Sequence, residues 1–451
     1  MAALRLLAIS LPCALAEYTH LQFVGFPMQT GYNAFTSDGG LFYQDGSHSG
    51  QYAGLADPST DVTKRIELMS DALRNAAASS AIDNRPTTLK IFAGTEFFFR
   101  GAVGAYNMSH PNGRAAVEGL ASSLAELIKG DEWSDWLGFF GTTIGFQQST
   151  TSTPYPVDSN GLTRRGLVDT YNFAMIRRGG PGGEQHVHFK KYISSIDFLD
   201  ATPGFEGTVT YPVMNVTTPS TPAKSMSHTR KQYPILGGAA RRSLEKVAGD
   251  AVDGRFEIAN VSFCLDICLD HSMGVCASLL DAEKAAGTGP GLVSVHAIVS
   301  AGSSIQPKHV RVPAGGSAIL ADGLGSGAQQ SVELTGSPMV EHVHRATAEE
   351  APASVGEPGV DEVARAGGFE PNLVLNDDYV GYVRKTAVDV LGVNWRKRVD
   401  EVFGVQRYGA PKPPSPTPSK DGGSAADEAY TLAHEVKPQA YVFEATPIVK
   451  V

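Results

Sequence analysis

"SFCLDICLDH" covers Ser262 to His271 and states one phrase almost twice: Phe263-Cys264-Leu265-Asp266, then Ile267-Cys268-Leu269-Asp270. "FEIANVSFCLDIC", residues 256 to 268, is apolar enough to predict a buried strand, and the residues up to about 285 predict a helix. Cys268 therefore stands where a strand hands over to a helix. In layered α/β proteins such strand ends gather on one edge, and ligands bind there. Cys264 precedes it on the same strand face but deeper, which makes Cys264 a core residue and Cys268 the candidate nucleophile. A disulfide between the two is excluded, because residues four apart in a strand lie roughly 13 Å apart. Zinc held by Cys264, Cys268, His271 and Cys276 lacks the paired Cys-x2-Cys spacing of such sites. Of the four cysteines, Cys13 lies in the leader-like N-terminus. The remaining odd cluster of Cys264, Cys268 and Cys276 points to thiol chemistry or burial rather than a disulfide framework.

Outward from this stretch, strands and helices alternate between residues 20 and 340, which predicts an α/β class with strands covered on both faces. "HLQFVGFP" (20 to 27), "LKIFAG" (89 to 94) and "LGFFGTTIG" (137 to 145) read as strands. Val62, Ile66, Met69, Leu73 and Ala76 recur at helical spacing, as do Val117, Leu120, Leu124 and Leu127. Gly179-Gly180-Pro181-Gly182-Gly183 marks a hairpin between "YNFAMIRR" and "QHVHFKK". Residues 200 to 250 read as an irregular insertion. "GLVSVHAIVS" (291 to 300) is a strand, and "GGSAILADG" with "QSVEL" (330 to 334) predicts a closing hairpin. Residues 376 to 405 read as helical, 409 to 427 as a Pro/Gly/Ser-rich linker, and "QAYVFEATPIVKV" as a terminal strand or arm.

The 451-residue chain is 42% hydrophobic and 19% charged, the balance of a globular protein. Its net charge of −10 argues against nucleic acid as a partner. No stretch after the N-terminus offers the ~18 apolar residues of a membrane span. The first sixteen residues, with Arg5, an apolar run and Ala14-Leu15-Ala16, have the layout of a secretory signal peptide cut before Glu17. The competing reading is a first buried strand in a cytoplasmic protein. Sequons at Asn107, Asn215 and Asn260 are compatible with secretion, although Asn260 falls inside the predicted buried strand. The expected division is a signal peptide at 1–16, a catalytic domain at 17–340 and a C-terminal extension at 341–451.

Three strand ends carry the chemistry: Glu96 after "LKIFAG", Lys190 and Lys191 after the second hairpin strand, and Cys268. A thiolate attacks a carbonyl or nitrile carbon, a carboxylate takes the thiol proton and later activates water, and an ammonium stabilises the developing anion. "FAGTEFFFRG", "YNFAMIRR" with "QHVHFKK", and "ICLDH" together resemble the motifs of the nitrilase-like carbon–nitrogen hydrolases. The resemblance spans roughly residues 20 to 340. Thr95 departs from it by standing where the family usually has proline, and the insertion lengthens the lysine-to-cysteine interval.

What the resemblance implies is an α-β-β-α sandwich with Glu96 as general base, one lysine, and Cys268 as nucleophile. It also implies a homodimer or higher homo-oligomer, a small amide or nitrile substrate, and no metal or organic cofactor. The family's aromatic-x-Lys step selects Lys191, whereas a His-x-Lys reading selects Lys190. The two point to opposite strand faces, so only one enters the site, and Lys191 is preferred. Amide hydrolysis through an acyl-thioester is the leading activity. Nitrile hydrolysis, N-acyl transfer and a catalytically silent binding protein are the alternatives. Asp197 or Asp200 is a candidate second carboxylate. His188, His271 and His296 read as ordinary polar or packing residues rather than catalysts, Tyr171-Asn172 as a strand start, and Asp270 as the holder of the turn after Cys268.

Overall fold

The computed structural model describes residues 17–28, 30, 55, 57–101, 105–148, 168–192, 244–323, 339–345, 382–384, 387–391 and 440–451. The N-terminal leader, the linker, Asp197, Asp200, Asn215 and most of the 200–250 insertion lie outside them.

The class is mixed α/β, with two sheets. The first half of the chain supplies β1 (His20–Phe26), α1 (Pro58–Ala77), β2 (Thr88–Gly94), β3 (Tyr106–Asn107), α2 (Pro111–Leu127) and β4 (Trp136–Gln148). Next come β5 (Val168–Arg178), β6 (Gln185–Phe189) and β7 (Asp250–Val252). The second sheet begins with β8 (Arg255–Ile258) and β9 (Val261–Ile267), followed by short helix α3 (Leu269–Ser272) and α4 (Val275–Ala286). β10 (Val295–Ser300), β11 (Ser317–Asp322), β12 (Met339–Arg345), β13 (Tyr382–Arg384), β14 (Ala387–Leu391), β15 (Ala440–Phe443) and β16 (Thr446–Pro447) complete the described elements.

Among the described residues the larger sheet runs β14-β15-β1-β2-β4-β5-β6-β7, with β3 on β4 and β16 on β1. The smaller runs β13-β12-β11-β10-β9-β8. β1, β2 and β4 are parallel, as are β9, β10 and β11, so within each set the C-terminal ends share an edge. β2 is buried along its whole length between β1 and β4, which is why "TLKIFAG" is apolar without alternation. One apolar cluster joins Phe23, Ile91 and Phe139 of the larger sheet to Phe263, Leu265 and Val299 of the smaller. A second joins α1 and α2 to the larger sheet, and a third seats α4 on the smaller through Leu280, Val293 and Ile298. Among the described residues no helix is long and apolar enough to cross a membrane.

Four sequence expectations need correction. The single strand over 256 to 268 is a hairpin: Ala259 and Asn260 both have positive φ, at 52° and 63°, and Ile258 pairs with Val261. Two consecutive residues of that kind match the tight turn that suits strand twist. Asn260 is therefore exposed at a turn, not buried in a strand. The helix after Cys268 is broken at Met273-Gly274, where Gly274 has φ +67°. The stretch 376 to 405 contributes strands β13 and β14, because its β-branched residues find ladder partners in β12 and β15. The antiparallel partner of β11 is β12, while residues 330 to 334 lie outside the described residues. The terminal strand pairs with β1 of the same chain, Val24 opposite Val442.

Candidate active site

Glu96 follows β2 by two residues, and its turn is fixed before any chemistry is considered. Gly141 in β4 has φ +81°, and a Cβ there would fall 2.3 Å from the Thr95 carbonyl oxygen, so only glycine admits the turn so close. Phe97 donates its N–H to Thr142 Oγ1 at 2.9 Å and takes a positive φ of 64°. Thr30 Oγ1 donates to the Glu96 carbonyl. Glu96 then reaches the smaller sheet, its own N–H meeting Ser300 O at 3.2 Å and its Oε2 accepting from Ala301 N at 3.1 Å.

Lys190 Nζ lies 2.7 Å from Glu96 Oε1, with neither side chain exposed. The same carboxylate oxygen accepts from Asn172 Nδ2 at 2.8 Å, and the Asn172 carbonyl accepts from Lys190 N at 2.8 Å. Lys190 Nζ also stands 5.7 Å from the Phe97 ring centroid, on which Arg100 stacks at 4.7 Å. The preferred lysine of the sequence reading is placed differently. Lys191 is half-buried, and it is its backbone N–H that is engaged, by the Asp270 carboxylate at 2.9 Å. Strand alternation separates the two lysines, and it is Lys190 that turns inward toward Glu96.

Cys268 stands between β9 and α3 with φ 49° and ψ −107°, a sparsely populated backbone for a residue with a Cβ. Its N–H donates to Val299 O at 3.0 Å, and the side chain is buried against the inter-sheet cluster. Asp270, two residues on, accepts from both Lys191 N and Tyr192 N, the latter at 2.8 Å. This carboxyl ties the turn carrying Cys268 to the strand end carrying Lys190. Burial pushes its pKa up to about 8, against the pull of the Lys190 ammonium and the two backbone donors.

The cysteine reading needs its own correction. Cys264 is not a solitary core thiol: it is disulfide-bonded to Cys276, with Cα atoms 6.0 Å apart. The break at Gly274 turns α4 back along β9 and so brings Cys276 over Cys264. Cys268 stays outside that bond. Two of the histidines are polar partners of one carboxylate. Asp266 Oδ2 is within 3.0 Å of His271 Nδ1 and 2.9 Å of His296 Nε2, and its Oδ1 accepts from Cys276 N at 3.1 Å. His271 Nε2 accepts from Gln306 N at 2.8 Å, so this ring donates to Asp266 through Nδ1. Alternation places Cys264 and Asp266 on the outer face of β9, but Cys268 does not share it: β9 ends at Ile267, and the positive φ of Cys268 leaves its side chain in the inter-sheet cluster. The partners of Asp266 come from α3 and β10 and are invisible in the linear spacing.

No family model matches the chain, and no curated protein matches it. Among solved structures, a cysteine-to-alanine mutant of an amidase of the nitrilase superfamily from Nesterenkonia AN1 is similar over 78% of this chain and 97% of that one. The identity is 9% and the TM-score 0.27.

Proposed function

We propose that the chain is a thiol hydrolase of non-peptide C–N bonds, amides foremost, working through Glu96, Lys190 and Cys268. The observation that carries this reading is the fully buried Glu96–Lys190 pair, bound through Asp270 to a strained cysteine at a strand-to-helix junction. A buried ion pair is weak evidence for stability, since desolvation offsets most of the attraction. Its retention beside a cysteine of unusual φ fits a site organised for catalysis.

In this reading Glu96 takes the Cys268 proton, and the thiolate attacks the substrate carbon. Lys190 stabilises the oxyanion of the tetrahedral intermediate. Collapse expels ammonia or an amine, protonated by Glu96, and leaves an acyl-thioester that water activated by Glu96 hydrolyses. Asn172 orients Glu96 with its Nδ2. Its Oδ1, buried and without a hydrogen-bond partner among the described residues, is an acceptor for the substrate N–H. The two sheets with outer helices are read as the α-β-β-α sandwich that the motifs imply. The Cys264–Cys276 disulfide supports passage through an oxidising, secretory compartment.

The test is ammonia release from a panel of amides and nitriles by wild type, Cys268→Ala, Glu96→Gln and Lys190→Ala. Release by wild type that disappears in all three variants supports the reading. Activity surviving in Cys268→Ala would end it.

A further inference from the structure

The disulfide, the Asp266 carboxylate and His296 converge on the outer face of the smaller sheet. Cys264 and Asp266 project from β9 two residues apart, and Cys264 stands in register beside His296 of β10. Cys276 comes from the first turn of α4. A donor atom from each of Asp266, Cys276 and His296 lies within 4.8 Å of the other two, and all three residues are buried. The disulfide holds the Cys264 sulfur against that of Cys276, which sets a fourth donor next to the three.

We propose that Cys264, Asp266, Cys276 and His296 form a zinc site when the disulfide is reduced, so that either a sulfur–sulfur bond or a metal ion ties β9 to α4. This inference is independent of the hydrolase reading.

The donor chemistry fits. Two thiolates, an imidazole and a carboxylate are ligands that four-coordinate zinc accepts. Ligand atoms in a tetrahedral zinc site stand about 3.5 Å apart, so His296 and Asp266, 2.9 Å apart, open slightly while the two sulfurs separate. Two further observations point to a ligand here. His296 already presents its Nε2 to the Asp266 carboxylate at 2.9 Å, with the whole ring buried, so this nitrogen and that carboxylate face one point. His188, also fully buried, leaves its Nε2 without a partner. A Cβ built on Gly254 would lie 3.4 Å from His188 Cε1 and 3.6 Å from Cys276 Sγ, so that ring edges the same space. Outside, Leu280, Val293, Ile298 and Val312 form a dry apolar wall, the surrounding that keeps water off a structural metal.

The exchange balances with a dithiol reductant. Its two sulfurs give two electrons to the Cys264–Cys276 bond and become a disulfide, and its two protons pass to the cysteine sulfurs. Zinc binding then releases those two protons, while Asp266 and His296 bind as carboxylate and neutral imidazole. The turn carrying Cys268 lies between Cys264 and Cys276 in sequence, so a cross-link at this place holds it in oxidising and reducing surroundings alike.

Cobalt(II) is the probe, added to the full-length chain under three conditions: as isolated, after reduction by a dithiol with the reductant removed, and after reduction in Cys268→Ala. The expected result is a single equivalent of cobalt bound by both reduced proteins, with a thiolate-to-cobalt charge-transfer band and tetrahedral visible bands. The oxidised chain should show neither. Asp266→Asn or His296→Ala, reduced in the same way, should weaken binding 10-fold or more, as loss of a ligand does. The proposal is overturned if the reduced chain takes up no cobalt, if the oxidised chain takes up as much, or if uptake is unchanged in both ligand variants. The wild-type comparison across redox states carries the test even if a variant misfolds.

Discussion

Lys190 Nζ lies 2.7 Å from Glu96 Oε1, and neither side chain reaches solvent. The adjacent Lys191 keeps its side chain half-exposed and, among the described residues, is engaged through its backbone N–H, by Asp270. Two neighbouring lysines thus have unlike energetic roles, and that contrast is directly measurable.

Lys190→Ala strands a buried carboxylate and should cost about 3–5 kcal/mol of stability, with loss of amide hydrolysis. Lys191→Ala should change stability by less than about 0.5 kcal/mol and leave turnover within a few fold. Urea denaturation and ammonia release on both variants check this. Equal effects would return Lys191 to candidacy.

Asn172→Leu removes the donor to Glu96 and the unpartnered Oδ1 together. The expected loss in kcat/KM is about 10- to 100-fold, the scale of an acid–base group left poorly oriented. Asn172→Asp places a second carboxylate beside Glu96 and should be worse, because like charges raise the pKa of one partner. Steady-state kinetics of the two variants decide it.

Cys268 carries backbone strain of about 1–3 kcal/mol for its positive φ. Cys268→Gly relieves it at an entropic cost of about 0.5–1 kcal/mol, and Cys268→Ala does not relieve it. Both variants should be inactive, yet the glycine form should be the more stable by about 1 kcal/mol in urea denaturation.

Asp270 has a folded pKa pushed up to about 8 by burial, well above its unfolded value. Between about pH 4 and 8 the folded state then holds the proton that the unfolded state has lost. Stability from this group is therefore full at low pH and declines as pH rises through the window, by up to about 1.4 kcal/mol per unit. Asp270→Asn should flatten that slope while costing about 1–2 kcal/mol at low pH for an impaired acceptor. Unfolding free energies of both forms from pH 4 to 9 test the sign.

Reducing Cys264–Cys276, whose partners are 12 residues apart, should cost about 3 kcal/mol by loop-closure entropy when a chelator excludes metal. Denaturation with and without reductant, chelator present in both, measures it.

The sequence alone determined the two amphipathic helices, the apolar strands around β2, the hairpin at Gly179 to Gly183 and the strand-end positions of Glu96 and Cys268. Each is written in a local period or a turn signal, and local periods survive without knowledge of neighbours. The strand character of β13 and β14 was not legible, because a short β-branched run becomes a strand only when partners offer a ladder. Tertiary structure decided which lysine faces Glu96, that Asn172 holds that carboxylate, and that Cys264 meets Cys276. These pairings join residues distant in sequence: β2 with β6, β5 with β2, and β9 with a helix reversed at Gly274. Register and chain reversal fix them, and spacing along the chain does not encode either.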